Sequence, residues 1–121
     1  MTTAGKIFKG YAEAIIAQHG FGSNKMVKDW DIPFIMDQKE EVADLINNHP
    51  EDSEESKKGM DIFNSIWEGE KFLIDNGYLR KYQPEFWGWR NRRRVKMHGS
   101  VYVGLTQKGW GVANLYINAE G

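Results

Sequence analysis

The stretch RNRRRVKMHGSVYVGLTQKG, residues 90–109, runs from a cationic cluster through alternating apolar residues into a helix start. Alternation of apolar and polar residues is typical of a half-buried strand, and a glycine between two such runs indicates a hairpin. A three-residue loop, Met97–Gly99, pairs Val95 with Val101 and puts glycine where such loops often need a left-handed residue. The stretch therefore predicts a β-hairpin that leads into a helix.

This register gives the hairpin two chemically different faces. The inner face is apolar and comprises Val95, Val101, Val103 and Leu105. The outer face is cationic and polar and comprises Arg92, Arg94, Lys96, Ser100 and Tyr102. Thr106 follows the second strand and is placed to cap a terminal helix over residues 107–117.

Apolar residues spaced by three and four predict three helices before the hairpin. The first carries Phe8, Tyr11, Ala12, Ile15 and Ile16 and stops at Gly20 and Gly22. The apolar residues of DIPFIMD, residues 31–37, predict a short buried strand or extended segment, which Pro33 places at an edge or keeps irregular. Asp37 with Glu40 then forms a capping box for a helix over 38–48.

The third predicted helix follows a cap at Asp52 or Ser53 and ends at Asn76-Gly77, since glycine accepts the left-handed conformation there. Its apolar stripe has one polar member, Glu70. The aromatic segment 82–89 comes next, and it is predicted to cover the core, or alternatively to form an exposed patch that docks a partner.

Two local patterns resemble winged helix-turn-helix proteins. LIDNGYL, residues 73–79, is similar to the end of the third helix of that fold. YVGLTQKG, residues 102–109, resembles the "LTxKG" step from the last wing strand into the final helix of MarR-like and PadR-like regulators. The resemblance covers residues 60–117. It implies a single α+β domain over residues 1–121, with three N-terminal helices, a β-hairpin wing and a C-terminal helix.

The resemblance implies a small regulator of transcription that binds double-stranded DNA and whose wing contacts phosphate. Cations in the wing would release counterions from DNA and give salt-sensitive affinity. The side chains expected to contribute are, in the wing, Arg90, Arg92, Arg93, Arg94 and Lys96, and beside it, Lys71, Arg80 and Lys81. The third helix fits this role less well, because its polar positions are mostly neutral or acidic.

A second hypothesis is a non-enzymatic module that binds a basic protein, in the manner of small immunity proteins or phage-encoded inhibitors. Its surface would be the acidic helices, around Asp61, Glu68 and Glu70, or the patch of Trp87 and Trp89. Residues 37–75 carry twelve acidic and four basic side chains, whereas residues 76–121 carry two and eight. These two blocks could face different partners or pair with each other. The cationic run could also be a solvated edge strand that opposes aggregation.

Composition narrows the remaining classes of structure and function. The chain has 40% hydrophobic and 27% charged residues, which favours a folded domain over disorder. It has no cysteine, and its three histidines lack ligand spacing, so we expect no metal, no cofactor and no catalytic residue. No apolar run reaches the length of a bilayer span, so we expect a cytoplasmic protein without a membrane partner. The sequence leaves the oligomeric state open, a homodimer included.

Overall fold

The computed structural model describes residues 1–117, which form a mixed α+β fold of four helices and two small antiparallel sheets. The elements are, in chain order, α1 (Thr3–His19), β1 (Val27–Lys28), α2 (Pro33–Asn47), α3 (Glu54–Asp75), β2 (Leu79–Tyr82), β3 (Glu85–Arg90), β4 (Arg93–His98), β5 (Tyr102–Leu105) and α4 (Gln107–Ile117).

Helix α1 lies at the centre and packs against the other three helices and β5. Its apolar stripe is buried as predicted, with Phe8, Tyr11, Ala12 and Ile15 all almost inaccessible to solvent. Residues from α2, α3, α4 and the strands β1, β2 and β5 complete one core cluster around this stripe. The core thus includes residues of both the first and the last described helix.

The start of α2 corrects the prediction for residues 31–37. The helix begins at Pro33, with Ile32 as its N-cap, so Asp37 lies inside the helix and does not cap it. Proline is well tolerated in the first turn, where the backbone N–H groups have no intrahelical acceptor anyway. Burial of Ile32 and Ile35 against the core then holds this first turn in place.

Helix α3 begins and ends at the predicted signals. The Ser53 hydroxyl accepts a hydrogen bond from the backbone N–H of Ser56 at 3.2 Å, so Ser53 rather than Asp52 is the cap. Gly77, with a φ of 77°, reverses the chain after the helix. The segment that follows enters β2 directly, so the end of α3 and the start of the sheet are adjacent.

The three-stranded sheet has the order β1-β5-β2, with the last strand in sequence at its centre. Val27 pairs with Val103 on one side, and Leu79 pairs with Leu105 on the other. Val103 and Leu105 are buried, which confirms this part of the predicted inner face. This pairing also leaves β5 with no hydrogen-bonding edge for β4.

The hairpin therefore has a different register from the predicted one. Strand β4 pairs with β3 through a two-residue turn at Asn91 and Arg92, and Val95 lies opposite Gly88 instead of Val101. The prediction of a loop at Met97–Gly99 is wrong because β5 is already paired on both sides. The segment 97–101 instead connects two sheets, and the Gly99 N–H donates to the Pro84 carbonyl at 2.8 Å.

Thr106 caps α4 as predicted. Its hydroxyl oxygen accepts a hydrogen bond from the Gly109 N–H at 3.0 Å and also donates to the carbonyl of Gly77. A Cβ at Gly109 would overlap the Tyr78 carbonyl, so the first turn of α4 packs directly on the turn between α3 and β2. The two segments that carry the winged-helix resemblance are therefore in contact.

Candidate nucleic-acid interface

The β3–β4 hairpin projects away from the core. No residue of the core cluster lies between Arg80 and Tyr102, a span that the structure describes in full. The prediction that the aromatic segment 82–89 covers the core is therefore wrong, because Phe86, Trp87 and Trp89 are exposed on β3. An isolated two-stranded hairpin is only marginally stable in water. Its attachment to the paired ends of β2 and β5 therefore has to hold it in place.

Three arginine residues lie at the tip of this hairpin. Arg90 and Arg93 form its last strand pair, and Arg92 lies in the turn between them. All three side chains are exposed. None of them forms an ion pair with any residue of the part of the chain that the structure describes. We call Arg90, Arg92 and Arg93 the arginine tip.

The turn that presents the arginine tip has an unusual backbone. Asn91 and Arg92 have φ angles of 52° and 63°, so both adopt the left-handed conformation that a tight two-residue hairpin turn requires. Asparagine tolerates this conformation, but it is uncommon for a residue such as arginine, for which glycine would be the less strained choice. The positive charge at position 92 therefore comes with a strained backbone conformation.

One face of the hairpin combines aromatic rings with cations. Trp87 lies opposite Lys96, and Trp89 lies opposite Arg94, so these four side chains project to the same side. The Arg94 guanidinium lies 5.0 Å from the centre of the Trp87 ring, a cation–π contact. Lys96 is paired with Glu85 at 2.7 Å. We call the surface formed by Trp87, Trp89, Arg94 and Lys96 the Trp–Arg face.

The opposite face of the hairpin is apolar in its middle. Phe86 lies opposite Met97, and Gly88 lies opposite Val95. The Met97 sulfur occupies the space that a Cβ at Gly88 would fill. The Met97 side chain thus packs on Gly88 within the hairpin itself. Val95 and Met97 are partly buried there, although neither belongs to the main core.

The other cations predicted beside the wing are largely engaged within the molecule. Lys71 pairs with Asp75 at 2.6 Å, and Arg80 donates to the carbonyl of Asn24. Lys81 pairs with the carboxylate of Glu70 and lies 3.5 Å from that of Asp29. The structure thus separates the arginine tip, which is unpaired, from cations that already have protein acceptors.

Lys81, itself partly exposed, contacts a largely buried polar cluster for which the sequence contained only one signal. The Tyr11 hydroxyl is 2.8 Å from Glu70 Oε2 and 3.0 Å from Asp29 Oδ1, and it accepts the backbone N–H of Trp30 at 2.9 Å. The signal in the sequence was a polar residue, Glu70, on an apolar helical stripe. Glu70 is only 3% exposed, which corrects its predicted place in an exposed acidic face.

Burial controls the protonation of this cluster. It raises the pKa of Glu70, and the nearby Asp29 carboxylate raises it further, against the hydrogen bonds from Lys81 and Tyr11. Burial and the charge of Glu70 also raise the pKa of Tyr11, so the phenol stays protonated and donates. For Lys81, burial lowers the pKa, but the contacts with Glu70 outweigh this effect and raise it overall.

The outer face of α3 is acidic and apolar. Asp61 and Glu68 are exposed there, as the second hypothesis requires. Met60, Trp67 and Phe72 are also exposed, so apolar area lies between the acids. Phosphate groups would find little attraction here, since the exposed carboxylates of α3 outnumber its lysines and the helix has no arginine.

No helix among residues 1–117 is long and apolar enough to cross a bilayer. The same residues contain no group of three histidine, aspartate or glutamate side chains that could hold a metal ion. No protein-family model matches the chain, and no curated protein or solved structure matches it either.

Proposed function

We propose that this chain is a winged-helix-like protein that binds double-stranded DNA through the arginine tip of its β3–β4 hairpin. The order of three helices, a projecting hairpin and a terminal helix agrees with what the resemblance implies. The observation that carries the proposal is the set of three exposed guanidinium groups without an internal acid partner. Unpaired guanidinium groups at a protruding tip are suited to bidentate contacts with phosphate.

In this proposal the hairpin supplies the contact and α3 does not enter the major groove. Helix α3 has more acidic than basic side chains, and its Lys71 is paired with Asp75, whereas direct readout of bases usually relies on arginine, lysine, asparagine or glutamine. Binding would then be dominated by phosphate contacts and would show modest sequence preference.

The test is fluorescence anisotropy with a labelled mixed-sequence duplex across a salt series. Three phosphate contacts predict a slope of about −2.7 in the plot of log affinity against log salt, a loss of about 40-fold between about 50 and about 200 mM. The variant R90A/R92A/R93A should bind weakly with a nearly flat slope. The variant K39A/K57A/K58A removes the same charge from exposed positions on α2 and α3 and should bind as the wild type does. Equal losses in both variants would contradict the proposal.

A second candidate function, capture of a basic protein, is favoured by the apolar and acidic surface of α3. Trp67 is 56% exposed, and large exposed aromatic side chains are frequent anchors of protein interfaces. The variant W67A/E68K should abolish capture of a basic partner while leaving duplex binding intact. Retention of the partner by this variant would remove α3 from consideration.

A further inference from the structure

The proposed duplex contact is made by the arginine tip and does not use the Trp–Arg face, which holds the two most exposed aromatic rings of the hairpin. Trp87 is 60% and Trp89 is 75% exposed. Neither indole contacts another aromatic ring of residues 1–117. Two neighbouring exposed indoles form an apolar patch of the kind that marks interaction sites on protein surfaces.

The spacing of the two indoles restricts that ligand. Trp87 and Trp89 are two residues apart on one strand, so their attachment points are separated by about 6.6 Å. Stacked bases within one strand of duplex DNA follow each other at about 3.4 Å. Two neighbouring bases can therefore each lie on an indole only if they separate from one another, which a flexible single strand permits and a paired duplex resists.

The charges around the indoles fit the same ligand. Arg94 and Lys96 lie opposite the indoles on β4, with Lys96 paired to Glu85, whereas Arg90 and Arg93 of the arginine tip project to the other face of the hairpin. Aromatic platforms flanked by cations bind single strands because bases stack on the rings while phosphates follow the charge. A basic protein partner would instead be repelled by this surface.

We propose that the Trp–Arg face binds unpaired bases, so that the DNA recognised by this protein contains a single-stranded segment next to a duplex. This inference rests on the proposed function, because the arginine tip is assumed to contact the duplex phosphates. The duplex lies at the tip, and the single strand runs along β3 towards Trp87.

The experiment compares anisotropy for a blunt duplex and for the same duplex with a 3′ or a 5′ tail of twelve thymidines. The tailed probe of one polarity should bind more tightly than the blunt duplex. In W87A/W89A each lost indole should lower affinity for the tailed probe about 5- to 150-fold, with blunt-duplex affinity unchanged. The variant W67A/F72A removes two exposed aromatic side chains from α3 and should keep the preference. The variant W87F/W89F, with smaller rings on the same strand, should retain part of it.

The outcomes separate the two proposals. Equal affinity of wild type for blunt and tailed probes overturns the inference while leaving duplex binding by the tip in place. An equal loss for both probes in W87A/W89A, with no rescue in W87F/W89F, overturns it as well, since the indoles then only support the hairpin. No binding to any probe overturns both proposals.

Discussion

Tyr11 illustrates how a single hydroxyl can join distant parts of this chain. It lies on the buried stripe of α1 and contacts Glu70 on α3 together with Asp29 and the Trp30 backbone in the segment between β1 and α2. Trp30 has a φ of 62°, an unfavourable conformation for a bulky residue that the contact with Tyr11 helps to hold. Within a low-dielectric core, a network with every member satisfied gives the elements one defined arrangement.

Replacement of Tyr11 by phenylalanine should destabilise the fold. The change removes an acceptor from the Trp30 N–H and a donor from Glu70 while it preserves the ring, so we expect a loss of about 1–3 kcal/mol. Urea denaturation followed by circular dichroism measures this loss. The matched change Tyr82→Phe, at an exposed tyrosine, should have little effect. Equal stability of the two variants would show that the hydroxyl network contributes nothing.

The Glu70 carboxyl should make stability depend on pH with a defined sign. Its pKa is raised in the folded protein above the ordinary value of 4.5, so between pH 4.5 and neutrality the folded state retains its proton more readily than the unfolded chain. The free energy of unfolding contributed by Glu70 therefore falls as pH rises through this window. Relative to Glu70→Gln, the wild type should gain stability on acidification from neutral pH.

The measurement is the difference in unfolding free energy between the two proteins at several pH values from about 4.5 to 7. Subtraction removes the contributions of the carboxylates that do not interact with Glu70. If the wild type instead lost stability relative to Glu70→Gln on acidification, the Lys81 ion pair would control Glu70 and lower its pKa.

At the scale of elements, the hairpin turn combines a structural cost with a functional charge. Glycine is the residue best suited to the left-handed conformation at position 92. Arginine there places a third guanidinium group beside those of Arg90 and Arg93. Stability and binding should therefore respond to this position in opposite directions.

Arg92→Gly should stabilise the hairpin by up to about 1 kcal/mol and weaken duplex binding, with the salt slope reduced by about 0.9. Asn91→Gly is the control, because it relieves the same backbone conformation without removing charge, and it should leave affinity unchanged. Thermal unfolding and anisotropy measure the two effects. If both glycine variants kept wild-type affinity, Arg92 would have no part in binding.

Elements with local signals could be predicted from the sequence, and those decided by tertiary pairing could not. The stripe of α1 and the caps Ser53 and Thr106 follow from spacing and side-chain chemistry within a few residues. The hairpin register does not, because β4 had two candidate partners and β5 was taken by β1 and β2. The start of α2 was missed because Pro33 suits a first helical turn as well as an extended segment.

The candidate site was predictable to a similar extent. The cationic run marks the hairpin directly, so the arginine tip lies within the predicted set. Which cations are already paired depends on distant acids, as with Lys81 and Glu70. The alignment of Trp87 and Trp89 with Arg94 and Lys96 depends on the β3–β4 register, which the sequence did not specify.

Across the whole molecule, the acidic and basic blocks are joined but not neutralised. Lys81 and Glu70 form an ion pair that joins the two blocks, whereas the arginine tip forms no ion pair with any acid in the described part of the chain. The fold therefore presents opposite charges at different places, with the hairpin outside the core. Binding and folding should be separable as a result.

Replacing residues 84–100 by Asn-Gly should remove DNA binding while preserving the fold. The shortened chain keeps the Tyr82–Tyr102 pair and closes it with dipeptide chemistry suited to a tight hairpin turn. Because no core residue is lost, the unfolding transition should stay cooperative with a similar midpoint. Loss of cooperative unfolding would mean that the hairpin helps to hold the core together.

The central position of β5 sets the order in which this protein can be assembled. The edge strands β1 and β2 gain a hydrogen-bonded partner only when β5 is present, because Val27 pairs with Val103 and Leu79 pairs with Leu105. During synthesis the helices can form early from local contacts, but the sheet cannot close until residues 102–105 have left the ribosome. Such long-range pairing raises the contact order of the fold, and we therefore expect closure of the sheet to be the slow step of folding.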